Sequence, residues 1–86
     1  MEHLTLFERQ FIAKAAFDWY HQHGYNTELS FFHGMSEYRV TVYLADGEAL
    51  PAFPFLDHPD ITKRVNDSSR DVTIITFIIP YYRANG

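Results

Sequence analysis

Histidines are the residues of this chain best suited to chemistry, because an imidazole can bind a metal ion or transfer a proton near neutral pH. The set that could build one site is His21, His23, His33 and His58. Zinc needs three or four ligands that converge at about 2.0 to 2.2 Å from the ion, and a spacing of two does not put His21 and His23 on one helix face. The pattern favours a solvated helix end, with a histidine-based metal-binding protein or small enzyme as the alternative.

A second candidate is Asp57-His58-Pro59-Asp60, because a neighbouring carboxylate can orient an imidazole and raise its basicity. Turn formation and capping explain these four residues without catalysis. The serines have no nucleophile-elbow context, the glycines form no phosphate-binding loop, and the absence of cysteine removes thiolate chemistry. We therefore predict a protein that is not an enzyme and that needs neither a cofactor nor a metal.

The charge of the chain points towards a protein partner. Eleven acidic and seven basic residues give a net charge of −4, which argues against a ligand bound through its phosphates. Between positions 40 and 62 there is no Lys or Arg, and this segment carries Asp46, Glu48, Asp57 and Asp60. Such a segment could present an acidic surface to a basic partner. The alternative, a single-stranded nucleic-acid module, would stack bases on Phe32, Tyr43 and Phe77 beside Arg39.

These candidates must be positioned by a helix near the N-terminus. Thr5 and Glu8 form a capping-box pattern, and Gly24 is suited to a helix end, so we predict a helix over residues 6–23. Its apolar positions form two stripes, which are Phe7, Phe11, Ile12, Ala15, Ala16 and Trp19, and Leu6, Ala13, Phe17 and Tyr20. Together the two stripes cover a wider arc of the helix surface than packing on one sheet requires, which predicts a second contact surface on the helix.

Strands account for most of the remaining chain. Alternation predicts strands near 25–33 and 38–44, and Asp46-Gly47 predicts a hairpin into a third strand near Glu48, short or at an edge because of Pro51 and Pro54. We expect a brief helical turn within 57–65, a loop at 66–69, and a last strand over 71–79 that is apolar on both sides and therefore internal. The fold class is α+β, a single domain over residues 1–86 with one N-terminal helix packed on one face of a three- to four-stranded, mainly antiparallel sheet.

Aromatic content suggests what the domain does. Eight Phe, six Tyr and one Trp are more than so small a fold can readily bury, and exposed rings are typical of interfaces. We predict a non-enzymatic protein-binding domain that acts as small inhibitors, immunity proteins or viral accessory proteins do. Its predicted aromatic anchors are Phe17, Tyr20, Phe53 and Phe55, and its acidic rim is Asp46, Glu48, Asp57 and Asp60.

The setting follows from the same composition. In the simplest form of this binding function the partner is a second copy of the chain, which would form a homodimer through the open sheet face or the second helix stripe. No apolar run approaches 18 residues and the first residues lack the layout of a signal peptide, so we expect a soluble, cytoplasmic protein with no membrane partner.

Overall fold

A computed structural model describes residues 3–45, 47–68 and 71–81. The elements, in chain order, are α1 (Leu6–Gln22), β1 (Asn26–Phe32), β2 (Glu37–Ala45), a 3₁₀ turn (Pro54–Leu56), β3 (Thr62–Ser68) and β4 (Val72–Pro80). The strands form one antiparallel sheet in the order β1-β2-β4-β3, and α1 packs on one face of it. The predicted α+β fold class is confirmed. Within the described ranges, no helix is long and apolar enough to cross a membrane.

The ends of α1 are set by the local signals that predicted them. The Glu8 amide donates to Thr5 Oγ1 at 3.0 Å, and the Thr5 amide donates to Glu8 Oε1 at 2.8 Å. The hydrogen bond from the Thr5 amide holds the pKa of Glu8 below its ordinary value. At the other end, Gly24 adopts a φ of +88°, a left-handed conformation that ends the helix at low cost because glycine has no Cβ.

The buried stripe of α1 differs from both predicted stripes. It consists of Arg9, Ile12, Ala13, Ala16 and Tyr20, while Phe7 and Phe11 point away from the sheet. Ala13 and Ala16 are small enough to let the helix lie close to the strands, because helix packing distance depends on the side chains at the contact. This orientation leaves the two phenylalanines on the solvent side.

The sheet face under α1 forms the hydrophobic core. Its central residues come from β2 and β4 and are almost fully buried: Val40, Val42, Leu44, Ile75, Phe77 and Ile79. The prediction that the last strand is internal is confirmed, because β4 pairs with both β2 and β3. Ile78 faces the other side yet is only 7% exposed, and its register partners there are Arg39 and Thr62.

The third strand is not where the sequence pattern predicted it. The Glu48 amide donates to the Ala45 carbonyl at 3.0 Å, which closes a turn, but no strand follows within residues 48–53. Pro51 and Pro54 remove two backbone donors from this segment, so it runs unpaired into the 3₁₀ turn. The predictions of a strand near Glu48 and of a helical turn reaching Val65 are therefore wrong. Most of the predicted 66–69 loop is strand β3, and position 69 lies outside the described residues.

Candidate functional site

Asp60 belongs to a network that holds the fold together. Its Oδ2 accepts from buried Arg9 Nη2 at 3.0 Å and from the Leu4 amide at 2.9 Å, and its Oδ1 lies 2.9 Å from His3 Nδ1. The hydrogen bond from the Leu4 amide is the main cause that lowers the pKa of Asp60, with the His3 and Arg9 contacts acting in the same direction. The carboxylate thus has internal partners and is only 12% exposed, which suits a structural role better than a rim position.

Tyr20 is a core residue. Its side chain is 1% exposed, its ring stacks against Phe77 with centroids 6.2 Å apart, and its hydroxyl donates to the Pro51 carbonyl at 2.8 Å. Burial raises the pKa of the Tyr20 hydroxyl. The ring therefore has no exposed face for a partner, and its contribution is to fix the segment that carries Phe53 and Phe55.

Phe53 and Phe55 do come together on the surface. The Phe53 ring lies against Trp19 with centroids 5.4 Å apart, and Phe55 meets Phe53 edge to face at 5.5 Å. Trp19 and Phe53 are half-buried, whereas Phe55 is 58% exposed. We name Trp19, Phe53 and Phe55 the aromatic cluster.

The local sequence explains why Phe55 points outward. Pro54 fixes the backbone at the start of the 3₁₀ turn, where the Leu56 amide donates to the Phe53 carbonyl at 2.9 Å and the Asp57 amide donates to the Pro54 carbonyl at 3.1 Å. Leu56 enters the core with 7% exposure. Its neighbour in this tight turn is consequently turned towards solvent.

A cavity of about 360 Å³ lies beside the cluster, between the 50–61 segment and the sheet. Tyr20 and Phe77 contribute aromatic surface to it, and Asp57, His58 and Lys63 contribute polar groups; the other lining residues are Leu50, Pro51, Ala52, Phe53, Leu56 and Ile61. A volume in this range is large enough for one inserted side chain or a small ligand.

His58 is held by its own turn. Its Nδ1 accepts the Asp60 amide at 3.0 Å, so the proton of the neutral ring lies on Nε2. This geometry is that of a turn-stabilising residue.

The other histidines are separately engaged. His21 stacks on Phe17 with centroids 5.8 Å apart, His23 Nδ1 lies 2.7 Å from the Trp19 carbonyl, and His33 meets Phe31 edge to face. Across residues 3–45, 47–68 and 71–81, no group of three or more His, Cys, Asp or Glu is arranged to hold a metal ion.

Only part of the predicted acidic rim lies near the aromatic cluster. Asp57 is exposed and lines the cavity beside Phe53, and Glu48 is exposed in the turn where it accepts from the Ala45 amide at 2.9 Å. Asp46 lies outside the described residues.

Phe17, the remaining predicted anchor, is half-buried and lies about 200° from Trp19 around the helix, because the two are two positions apart. It is therefore not part of the aromatic cluster.

The three rings of the base-stacking alternative do not share a face. Phe77 lies in the core, while Phe32 and Tyr43 lie on the open face about 20 Å apart along the strands. The Arg39 guanidinium lies 4.0 Å over the Phe32 ring, and the Tyr43 hydroxyl donates to Glu28 at 2.9 Å. Both rings on the open face thus already have polar partners.

Two residues that shape the site, Arg9 and Trp19, carry no clear signal of these roles in the sequence. Arg9 is charged and lies outside both predicted apolar stripes, yet it precedes Ile12, Ala13 and Ala16 by three, four and seven positions, the spacing of a shared helix face. Trp19 belongs to the predicted stripe that also holds Phe7 and Phe11. In the structure it lies at the edge of the buried stripe, where it supports Phe53.

No protein family model, curated protein or solved structure matches this chain.

Proposed function

We propose that this chain is a non-enzymatic protein-binding domain whose partner contacts the aromatic cluster and the adjoining cavity. The observation that carries the proposal is Phe55, which is 58% exposed and packs on Phe53, whose ring in turn lies against Trp19. Phe53 and Phe55 keep the anchor roles predicted for them, and Trp19 supports them from the helix.

The cluster has the properties of a binding hot spot. Full burial of a phenylalanine side chain is worth about 1.5 to 3 kcal/mol, and Phe55 is already restrained by Phe53 and by the turn that Pro54 begins. A restrained ring loses little conformational freedom on binding, so more of that free energy remains as affinity. Aromatic anchors beside a pocket are the usual centre of protein interfaces.

The charge around the cluster favours a partner with basic groups. Asp57 lines the cavity, Glu48 lies in the preceding turn, and the whole chain carries a net charge of −4. Acidic groups at a rim chiefly accelerate the encounter with a basic surface. The domain would act in the cytoplasm by masking or bridging its partner, as an inhibitor, immunity or viral accessory protein does.

Comparative capture from a native host lysate tests the proposal. Three tagged chains serve as bait, namely wild type, Phe55→Asp and Val65→Asp, and bound proteins are quantified by mass spectrometry. Val65 is a matched control, because it is 60% exposed but lies on the edge strand β3. We expect a protein retained by wild type and Val65→Asp and reduced about 30-fold or more by Phe55→Asp, the loss expected for a hot-spot residue.

Circular dichroism and thermal melting confirm that each bait is folded. A set of captured proteins that is the same for all three folded baits would contradict the assignment of the aromatic cluster.

A further inference from the structure

The cavity beside the aromatic cluster exists because α1 does not cover the whole sheet. Helix α1 lies mainly over β1 and β2, and the segment that follows β2 lies over the neighbouring part of the same sheet face. Pro51 and Pro54 keep that segment from pairing with a strand, so it encloses a cavity of about 360 Å³. This volume is at the lower end of the range for ligand pockets, which suits a small ligand.

One acidic and one basic side chain reach this cavity from two different walls. Asp57 comes from the end of the 3₁₀ turn, and Lys63 comes from β3, where its register partner Phe77 shows that it lies on the α1 side of the sheet. The two form no ion pair with each other. Among the described residues, neither side chain has a hydrogen bond or an ion pair. Both charges are therefore available to a ligand.

A third polar group and an apolar lining complete the cavity. His58 uses Nδ1 to accept the Asp60 amide at 3.0 Å, so the proton that its neutral ring can donate is the one on Nε2. Lys63 and His58 thus supply two donors, and Asp57 supplies an acceptor. The apolar part of the lining comes from Tyr20, Leu50, Phe53, Leu56, Ile61 and Phe77.

We infer that this cavity binds a free α-amino acid with an apolar side chain, such as phenylalanine. The Asp57 carboxylate accepts from the α-ammonium group, Lys63 and the His58 Nε2–H donate to the α-carboxylate, and the apolar side chain packs against the apolar lining. A ligand with both charges satisfies both walls at once. A purely cationic ligand would meet the Lys63 ammonium, and a purely anionic ligand would meet the Asp57 carboxylate, and such like-charge contacts are costly.

Titration of the isotope-labelled full chain, followed by NMR amide shifts, tests this inference with three probes. L-phenylalanine carries both charges, N-acetyl-L-phenylalanine lacks the ammonium group, and L-phenylalanine amide lacks the carboxylate. We expect L-phenylalanine to give saturable shifts centred on the amides of Ala52, Phe53 and His58, with a Kd of about 1 mM or lower. Each of the other two probes should have a Kd about 10-fold higher, because each lacks one charged contact.

Substitutions in the two walls separate the two charges. Asp57→Asn should weaken the binding of L-phenylalanine about 10-fold without weakening that of N-acetyl-L-phenylalanine, and Lys63→Met should weaken L-phenylalanine about 10-fold without weakening the amide probe. The controls with matched charge changes are Asp18→Asn on α1 and Arg64→Met on β3. Both positions are exposed and lie outside the cavity lining, so both variants should bind L-phenylalanine as wild type does.

The absence of saturable shifts with L-phenylalanine up to about 10 mM overturns the inference. Equal binding of the three probes also overturns it, and this comparison uses the wild-type chain alone, so it does not depend on the folding of any variant. The inference goes beyond the function proposed above and does not rest on it. Phe55 does not line the cavity and no partner protein is present in the titration, so failure here and failure of the proposed function are distinguishable.

Discussion

Arg9 joins three parts of the chain through one buried side chain. It is 2% exposed, and its guanidinium donates to the Leu4 carbonyl at 2.9 Å, the Pro80 carbonyl at 2.7 Å and Asp60 Oδ2 at 3.0 Å. These bonds connect the start of α1, the end of β4 and the turn before β3. Among the described residues, no buried side-chain nitrogen or oxygen lacks a hydrogen-bond partner.

Replacement of Arg9 should therefore cost much of the stability of the domain. Arg9→Met keeps the aliphatic volume but leaves the Leu4 and Pro80 carbonyls without their donor, so we expect the free energy of unfolding to fall by about 2 to 5 kcal/mol. Urea denaturation measures this loss. Arg64→Met, an exposed change on β3, is the control and should stay within about 0.5 kcal/mol of wild type. A loss at Arg9 no larger than at Arg64 would show that the network is not stabilising.

Asp60 should make the domain sensitive to acid. Because the pKa of its carboxyl is lowered in the folded state, the unfolded chain binds a proton more readily, and protonation favours unfolding. Its contribution is present above the ordinary aspartate pKa and is lost as pH falls through the lower pKa of the folded state. Glu8 contributes with the same sign. Unfolding in urea across pH 2 to 7 should show a smaller acid-dependent loss in Asp60→Asn; identical profiles would contradict the assignment.

At the scale of elements, the features set by neighbouring residues could be predicted from the sequence, and those set by distant contacts could not. Thr5, Glu8 and Gly24 act on backbone groups within one turn, so the helix ends could be read from the sequence. Strand β4 carries apolar residues on both of its faces, and this pattern likewise identified it as an internal strand.

Strand β3 could not be read in this way, because its residues 62–66 are all exposed and it pairs with β4 along an edge that needs no apolar alternation. The rotation of α1 about its axis escaped prediction for a related reason. It depends on which side chains reach the sheet and on the bonds of Arg9, and neither is encoded in the helical period alone.

The unpaired 48–56 segment depends on Tyr20 for its position. Tyr20→Phe removes the hydrogen bond to the Pro51 carbonyl while keeping the ring in the core, so we expect a loss of about 1 kcal/mol and faster exchange of the Leu56 and Asp57 amides. Hydrogen exchange by NMR measures both positions. The control is Tyr43→Phe, which removes an exposed hydrogen bond to Glu28. Equal exchange in the two variants would argue against this role of Tyr20.

At the scale of the whole molecule, exposed aromatic rings lie at two places. The aromatic cluster lies where α1 meets the 3₁₀ turn, and Phe7 and Phe11 lie on the face of α1 that is turned away from the sheet. Phe53 and Phe55 could be found from the sequence because they flank Pro54 in a segment unsuited to pairing. Tyr20 could not be told from a surface ring, because the helical pattern alone does not say which stripe faces the sheet.

Site-specific photocrosslinking tests the central claim, that Phe55 contacts a partner protein, most directly. A photoreactive benzoyl-phenylalanine is placed at position 55 in one chain and at the equally exposed position 65 in another, and each is irradiated in native host lysate. We predict a discrete adduct with one foreign protein from position 55 that is absent from position 65. The same adducts from both positions, or none from position 55, would contradict the claim.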